Sequence, residues 1–324
     1  MNPRRVAIPA SIARPPARVS GEARICGGAT MGTSWRATFI ADASVSARDA
    51  AMAIEARLDG VVAQMSPWEA RSDLVRYNKA PGASRVALPL AVTDVLAAAL
   101  DVAARCGGAY SPACGALTDL WGFGPAPRRN APPSSHEIEA AKARSDWRRI
   151  SIDRSALCVF QPGGVALDLC SIAKGHAVDQ AGAALDELGA KSWLVDIGGE
   201  LKARGVKPNG EPWWVALEGG GGFVVALLDL AVATSGVGAR NFAVKGRRYS
   251  HALDPRTGFP VAHDLAAVSV VHESAMLADA WATALLVLGP DDGAACAEAN
   301  GLAARFVFGE GRETVSTALD DMLR

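Results

Sequence analysis

Short segments in which apolar and polar residues alternate, with a few helical segments between them, constrain the fold of this chain most. Alternation at every second position is typical of a half-buried strand, and TSWRATFIA (residues 33–41) shows it first. Further strand-like runs follow in groups: RRISID, ALCVF, SWLVDI, WWVALE, FVVALLDLAVAT, YSHALD and AAVSVV. Strands in runs, rather than in strict alternation with helices, favour an α+β fold over a doubly wound parallel sheet.

Helical spacing predicts the main helices. ARDAAMAIEARLDGVVAQM carries apolar residues at helical intervals, and SPWEARSDLVRYN predicts a loop that enters a short helix. AVTDVLAAALDVAARCGG predicts a second long helix, with Thr93 as its candidate N-cap and Gly107 as its stop. Further along, Ser134 and Glu137 have the spacing of a capping box and predict the start of another helix.

Composition and charge exclude several classes of partner. With 324 residues, 50% of them hydrophobic, the chain can bury a large core. The 33 Lys and Arg are balanced by 34 Asp and Glu, so no bulk positive field is present to hold nucleic acid or an anionic membrane. Any anionic ligand must therefore be held by local chemistry.

The N-terminal stretch is rich in Pro and Arg and lacks an apolar run of the length that a signal peptide or a membrane span needs. We expect a disordered tail over residues 1–25, a folded domain over residues 26–324, no membrane span and a cytoplasmic location. The cysteines are scattered without a C-x-x-C pair, which argues against a zinc site and predicts reduced, partly buried thiols. They are Cys26, Cys106, Cys114, Cys158, Cys170 and Cys296.

Two glycine-containing stretches carry more polar residues than packing requires. In ALDLCSIAKGHAVDQAGAAL we expect Asp168 at the end of a strand and Lys174 and Gly175 at the turn before a helix. An ammonium group beside helix N–H groups can hold a phosphate, although this stretch alone favours an ordinary turn. In VDIGGELKARG, the Gly198–Gly199 pair predicts a hairpin turn or a close backbone approach.

A third stretch combines a turn with chemically active side chains. DPRTG predicts a tight turn after the strand YSHAL, since Pro255 and Gly258 suit its geometry. A turn requires neither His251 nor Arg256, so both stand out as candidate functional residues. In GALTDLWGFGP, aromatic residues lie between glycines, which is more often a feature of a core than of a cofactor site.

Asp279 and Thr283 lie one helical turn apart in SAMLADAWATALLVLG, a segment that is otherwise apolar. Both side chains therefore project from one face of the predicted helix. Burying an unpaired carboxylate costs several kcal/mol, and a hard cation such as Mg²⁺, bound through oxygen atoms, would remove that cost. The alternative is a structural Asp bonded to a backbone N–H, which the helix alone favours.

Seven segments, in order over roughly residues 28 to 290, resemble FAD:protein FMN transferases of the ApbE family. The matching segments are MGTSW, SPWEARSDLVRYN, GGAYSPACGALTDLWGFGP, ALDLCSIAKGHAVD, WLVDIGGELKARG, ATSG with YSHALDPRTG, and ADAWATAL. The resemblance implies a duplicated T-fold, with mixed sheets and packed helices. It also implies Mg²⁺-dependent transfer of FMN from FAD, through a phosphoester, onto a Thr or Ser hydroxyl of an acceptor flavoprotein, with release of AMP.

The resemblance further assigns expected roles to individual residues. The metal ligands would be Ser171, Asp279 and Thr283. The residues flanking the isoalloxazine would be Met31 and Trp68. The other FAD contacts would be Ala109, Tyr110, Ser111, Asp168, Lys174 and Leu253. The catalytic residues would be His251, as a base or a positioning donor near the pyrophosphate, and Asp279, through the metal.

The chain also departs from the family pattern. Ser111 and Ala113 stand where the family often has Asp and then Thr, and Ala282 stands where some relatives have another Asp. Family members are commonly exported lipoproteins, but Arg24 and Ile25 precede Cys26 without a lipobox. Two alternatives stay open: an Mg²⁺-dependent FAD pyrophosphatase that releases FMN and AMP, and a non-catalytic FAD-binding protein.

Overall fold

The structure is a computed structural model that describes residues 5–9, 18–129, 131–217, 222–238, 241–244 and 246–323. Its strands are β1 Val6–Ala7, β2 Glu22–Thr30, β3 Thr33–Ala41, β4 Ser84–Ala87, β5 Ser151–Asp153, β6 Cys158–Gln161, β7 Ser192–Ile197, β8 Glu200–Arg204, β9 Trp213–Ala216, β10 Val224–Leu227, β11 Ala231–Gly236, β12 Asn241–Val244, β13 Arg247–Ser250, β14 Leu253–Asp254, β15 Phe259–Pro260, β16 Leu265–His272, β17 Ala303–Phe308 and β18 Glu313–Val315. Its α-helices are α1 Ala47–Met65, α2 Asp73–Asn78, α3 Leu90–Arg105, α4 Gly115–Leu120, α5 Ser135–Lys142, α6 Ala173–Glu187, α7 Ala275–Leu288, α8 Pro290–Ala299 and α9 Thr317–Asp320.

A large antiparallel sheet organises the fold. It has eight strands in the order β18-β17-β16-β11-β8-β7-β3-β2, and smaller sheets join β1, β10 and β9, and β4, β6 and β5. Helix α6 packs on β7 and β8, helix α7 packs on β11 and β16, and the two helices also pack on each other. The main core lies between this layer of helices and the sheet. The prediction of an α+β fold with mixed sheets and packed helices is confirmed.

Several predicted elements have the bounds that their patterns indicated. Strand β3 and helix α1 cover the predicted segments, and the capping box joins Ser134 and Glu137 in both directions at the start of α5. The turn at Gly198 and Gly199 connects the hairpin of β7 and β8. All six cysteines are free thiols, as predicted. No helix among the described residues is long and apolar enough to cross a membrane.

Helix α3 differs from the prediction at its start. Pro89, rather than Thr93, occupies the N-cap position, and the helix ends at Arg105, just before Gly107. Thr93 is buried in the first turns and donates from its hydroxyl to the Leu90 carbonyl. Because its side chain is bonded inside the helix, it is not available to cap it.

Several strand predictions are wrong in detail, and YSHALD, for example, is divided between β13 and β14 of different sheets. The run FVVALLDLAVAT forms two strands in different sheets, because Asp229 adopts a positive φ of 55° between them and accepts a hydrogen bond from the Gly205 N–H. Asp168 does not end a strand; only an isolated bridge forms at Ala166, and the Asp168 carboxylate turns the chain by accepting from the Cys170 N–H. Lys174 and Gly175 consequently lie in the first turn of α6 rather than in a turn before it.

The predicted disordered tail over residues 1–25 does not match the structure where the structure describes it. Val6–Ala7 pairs with β10, with Ala7 fully buried, and β2 already begins at Glu22. Apolar Val6 and Ala7 provide a short strand that the Pro and Arg content of the stretch conceals. Residues 1–4 and 10–17 of the predicted tail lie outside the described residues.

Helix α6 holds the start of helix α7. The Asp179 carboxylate of α6 accepts from the Ser274 hydroxyl at 3.0 Å and from the backbone N–H groups of Ala275 at 3.2 Å and Met276 at 3.0 Å. The Lys202 ammonium of β8 balances its charge at 2.6 Å. Asp179 therefore caps a helix other than its own and fixes the position of α7.

We predict that Asp179→Ala lowers the free energy of unfolding by about 2 kcal/mol, because the first turn of α7 loses a charged acceptor and Lys202 loses its partner. Urea denaturation followed by circular dichroism measures the change. Asp101→Ala is the matched control, since Asp101 forms an exposed ion pair with Arg105 on α3, and we expect it to cost less than about 0.5 kcal/mol. Equal losses in the two variants would contradict the capping role.

Candidate active site

The buried end of helix α7 carries the first elements of the site. Asp279 is 3% exposed, and its Oδ2 accepts from the Gly175 N–H at 3.1 Å. Thr283, one turn further, shares a hydrogen bond of 2.8 Å with the Ser235 hydroxyl of β11. The alternative of an Asp bonded to a backbone N–H is thus observed. Among the described residues, however, Asp279 itself forms no ion pair: the nearby Lys174 pairs with Glu200, and Lys202 pairs with Asp179.

Gly175 allows the two helices to approach at this point. A Cβ atom on Gly175 would collide with the Ala275 carbonyl oxygen and with Met276 Cα, both of which belong to the backbone. Gly175 and Asp179 are four residues apart on α6, so they share a face. That face binds α7 twice, through the Gly175 N–H to Asp279 and through the Asp179 carboxylate to the first turn of α7.

A second buried carboxylate lies beside the first. Glu200, at the start of β8, is 2% exposed, and its Oε1 accepts from Lys174 Nζ at 2.6 Å. Its other oxygen, Oε2, is buried and has no hydrogen-bond partner among the described residues. Buried polar atoms rarely lack a partner, so this oxygen marks a place where the site is incomplete.

The three charges act on one another. Burial raises the pKa of Glu200 to about 7, with the Asp279 charge adding to the rise and Lys174 opposing it. Burial also raises the pKa of Asp279, again against the opposing effect of Lys174. Burial alone would lower the pKa of Lys174, but the charges of Asp279 and Glu200 outweigh it and raise that pKa. Two carboxyl groups thus share one ammonium group, and a bound cation would balance the remaining negative charge.

The loop of Ala109, Tyr110 and Ser111 reaches the same region and is buried. The phenolic oxygen of Tyr110 is buried without a hydrogen-bond partner among the described atoms. Burial raises the pKa of Tyr110 well above its usual range, and the charges of Cys114 and Asp279 add to the rise, while the Ser171 side chain opposes it. The predicted residues Tyr110, Ser171 and Asp279 are therefore brought together.

The two residues predicted to flank a flavin lie on separate loops. Met31 is in the turn between β2 and β3, with a positive φ of 49°. Trp68 lies between α1 and α2 and is 51% exposed, which is unusual for so large an apolar surface. The Gly198 N–H donates to the Ser34 carbonyl, so the turn before Glu200 packs beside the loop of Met31.

His251 lies between β13 and β14, and its ring meets the edge of Phe123 at a centroid distance of 6.3 Å. Leu253 is buried in β14, next to Leu117 and Trp121 in a small cluster of apolar side chains. Helix α7 contacts β14, so the hairpin that carries Leu253 adjoins the helix of Asp279. The tight turn predicted for DPRTG is present between β14 and β15.

A cleft of about 600 Å³ opens elsewhere, beside Gly108, Trp147 and Arg256. Of the candidate residues from the sequence only Arg256 lines it, and none of the residues expected to bind FAD or the metal does. Its cations are each paired with a carboxylate: Lys142 with Glu139, Arg148 with Asp146, and Arg256 with Asp254. We therefore place the candidate site at the α6–α7 contact rather than in this cleft.

Sequence reasoning missed three contributors to the site. Glu200 directly follows the glycine pair in VDIGGELKARG, which was the available signal. Ser235 stood in the polar stretch ATSG but was given no role, because its contact with Thr283 joins residues far apart in sequence. The N–H of Gly175 was missed since a backbone donor leaves no mark on a sequence.

Comparison of the sequence with known proteins identifies the family. The sequence profile of the ApbE family matches residues 31–306. An FAD:protein FMN transferase of Haemophilus influenzae is 34% identical over 298 residues, which cover 87% of this chain and 85% of that protein.

Solved structures of ApbE flavin transferases are also similar to this chain. The crystal structure of the Pseudomonas stutzeri flavinyl transferase ApbE in its apo form has a TM-score of 0.86 at 37% identity, covering 94% of this chain and 98% of that one. The flavin transferase ApbE from Vibrio cholerae has a TM-score of 0.84 at 29% identity, covering 93% and 99%.

We predict that Glu200→Gln becomes more stable relative to the wild type as the pH rises. The pKa of Glu200 is raised from 4.5 to about 7 on folding, so the folded chain holds its proton more tightly. Between these values, rising pH therefore destabilises the wild type through Glu200, by on the order of 3 kcal/mol in total, and the variant lacks this loss. Urea denaturation in EDTA between pH 4.5 and 8 measures the difference; parallel pH curves for the two proteins would contradict it.

Proposed function

Since this chain belongs to the ApbE family, we propose that it is an FAD:protein FMN transferase, which uses Mg²⁺ to move FMN from FAD onto a Thr or Ser hydroxyl of an acceptor flavoprotein and releases AMP. The observation that carries the proposal is the buried Asp279, held one turn from Thr283 and beside the Lys174–Glu200 pair. A single ammonium between two buried carboxyl groups suits a site that receives both a cation and a phosphate.

The donor atoms fit Mg²⁺. Asp279 offers a carboxylate, and the hydroxyl groups of Thr283, Ser235 and Ser171 offer further oxygen atoms, which are the ligands that this hard cation prefers. No three His, Cys, Asp or Glu side chains of the described residues cluster as a metal site. Mg²⁺ does not need such a cluster, because it is usually bound by one or two carboxylates together with waters and substrate phosphates.

Each part of the site has a role in the proposed reaction. When bound, Mg²⁺ would neutralise the pyrophosphate and stabilise charge on the departing AMP. Lys174, held by Glu200, would bind phosphate oxygens. Trp68 presents an exposed aromatic face on which an isoalloxazine ring can stack, with Met31 as the other flanking residue. Residues 109–111, together with Asp168 and the backbone at Leu253, would contact the rest of FAD.

The transfer step breaks the phosphoanhydride bond of FAD and forms one phosphoester bond to the acceptor. The acceptor hydroxyl oxygen attacks the FMN phosphorus, the bond to the AMP phosphate breaks, and AMP leaves with the electron pair. The hydroxyl proton must pass to a base or to water, and His251 is the proposed acceptor or positioning donor. Asp279 is a poor base if its charge is committed to the metal.

The cytoplasmic location inferred from the N-terminal stretch stays a prediction.

We predict that mixing the protein with FAD, Mg²⁺ and an acceptor flavoprotein carrying Thr or Ser in an S/T-G-A-T context raises the acceptor mass by one FMN less one water. A hydroxyl held beside the phosphorus reacts at a high effective concentration, so little FMN should be freed when no acceptor is present. Mass spectrometry of the denatured acceptor measures the bond, which survives denaturation because it is covalent. Rapid release of FMN without an acceptor, and no mass change with one, would favour the pyrophosphatase instead.

We predict that Asp279→Ala and Asp279→Asn both reduce Mg²⁺-dependent AMP release from FAD by more than about 100-fold, since changes outside the direct ligands of a metal already cost roughly 10–100-fold. The Asn variant keeps an acceptor for the Gly175 N–H, so it separates loss of charge from loss of that hydrogen bond. Chromatographic quantification of AMP and FMN measures the effect, and circular dichroism confirms the fold. AMP release at the wild-type rate from the folded variants would refute the metal role of Asp279.

A further inference from the structure

The unpartnered oxygen of Glu200 is not explained by the contacts of the fold. Glu200 Oε1 accepts from Lys174 Nζ at 2.6 Å, but Oε2 is buried with no partner among the described atoms, and the whole residue is only 2% exposed. The ion pair between Arg305 and Glu313 in the same sheet is complete: Arg305 Nε donates to Glu313 Oε2, a terminal nitrogen of Arg305 lies 2.7 Å from the same oxygen, and Glu313 Oε1 accepts from Arg5. Glu200 Oε2 is therefore still available to accept a hydrogen bond.

Glu200 and Asp279 flank the same turn of helix α6. Lys174 and Gly175 are consecutive residues; the side chain of Lys174 reaches Glu200, and the backbone N–H of Gly175 reaches Asp279. The charge of Asp279 adds to the rise in the pKa of Glu200, so the two carboxyl groups are close enough to interact. Glu200 therefore borders the position that Asp279 would give to a metal ion.

A bound Mg²⁺ would need an acceptor of this kind. Mg²⁺ demands six ligands and gives up its waters reluctantly, so several of them usually remain in its coordination shell. Those waters donate hydrogen bonds, and carboxylates around the direct ligands commonly accept them and fix the metal position. The buried oxygen of Glu200 is free for this purpose.

We infer that Glu200 is a positioning residue of the metal site, whose Oε2 accepts a hydrogen bond from water in the coordination shell of the cation bound by Asp279. The inference rests on the proposed function, because it takes its metal from there. Glu200 then has two tasks at once. One oxygen holds Lys174 for the phosphates, and the other holds the hydrated cation, so a single side chain sets the spacing between the two positive groups.

Metal binding tests this role directly. Mn²⁺, used in place of Mg²⁺, is titrated into protein saturated with FAD, without an acceptor and at low temperature, and free Mn²⁺ is measured by electron paramagnetic resonance. The variants are Glu200→Gln, which removes the charge, and Glu200→Asp, which keeps the charge but withdraws the carboxylate. We expect both to raise the Kd for Mn²⁺ by about 10-fold or more.

Two further variants separate this role from its rivals. Lys174→Met removes the ammonium group that Glu200 holds; if Glu200 only anchored Lys174, this variant would weaken Mn²⁺ binding as Glu200→Gln does. We expect the opposite, an unchanged or lower Kd, because a positive charge is removed beside the cation. Glu313→Gln is the matched control, since it disrupts the pair with Arg305 on β17 and β18, which β16 and β11 separate from β8 in the sheet. It should lower stability while leaving the Kd unchanged.

The outcomes distinguish the inference from the proposal on which it rests. If Mn²⁺ binds the wild type but not Asp279→Ala, and both Glu200 variants bind it as the wild type does, the positioning role is refuted and the metal role of Asp279 stands. Wild-type affinity in Glu200→Asp alone would show that Glu200 acts only by its charge, which also refutes the role. If the wild type binds no Mn²⁺, or Asp279→Ala binds it equally well, the metal part of the proposed function fails and the inference fails with it.

Discussion

The burial of Asp279 against helix α6 is the constraint on which the rest of the site depends. A carboxyl group at 3% exposure is tolerated only where it is compensated, and the Gly175 N–H supplies just one hydrogen bond. That bond requires α6 and α7 to approach so closely that no Cβ atom fits on Gly175. The glycine that seemed to belong to a phosphate-binding turn therefore serves helix packing, and this packing places the carboxylate.

Strand β8 sets the position of α6 by charge as well as by packing. Glu200 and Lys202 are two residues apart, so they point to the same side of β8, and they pair with Lys174 and Asp179 of α6. The acid is on the strand in one pair and on the helix in the other, which makes a shifted register unfavourable because like charges would meet. Since Asp179 also caps α7, these two ion pairs connect the sheet, through α6, to the helix that carries Asp279.

The sequence predicted most of the elements and several residues that the structure brings together, and it failed where distant residues meet. Periodicity located β3 and α1 to the residue, and the i, i+4 spacing of Asp279 and Thr283 indicated a shared face, because these patterns are local. The break at Asp229 was missed because a positive φ in a non-glycine residue depends on the tertiary bond to Gly205. Glu200 was missed for the same reason: a glutamate after two glycines gains its meaning only from Lys174 and Asp279.

The departures from the family pattern can be judged by what the substituted residues do here. Ser111 stands where the resemblance leads one to expect Asp, and its hydroxyl accepts from the Ala113 N–H at 3.2 Å, two residues on. Asp and Ser side chains both make this local bond, so the turn that presents the loop at residues 109–111 survives the exchange. Ala113 is fully buried against the core, where a Thr hydroxyl would need a partner of its own. In this chain the Ser111 hydroxyl therefore fixes the backbone of the loop, and Ala113 packs in the core without a polar group that needs a partner.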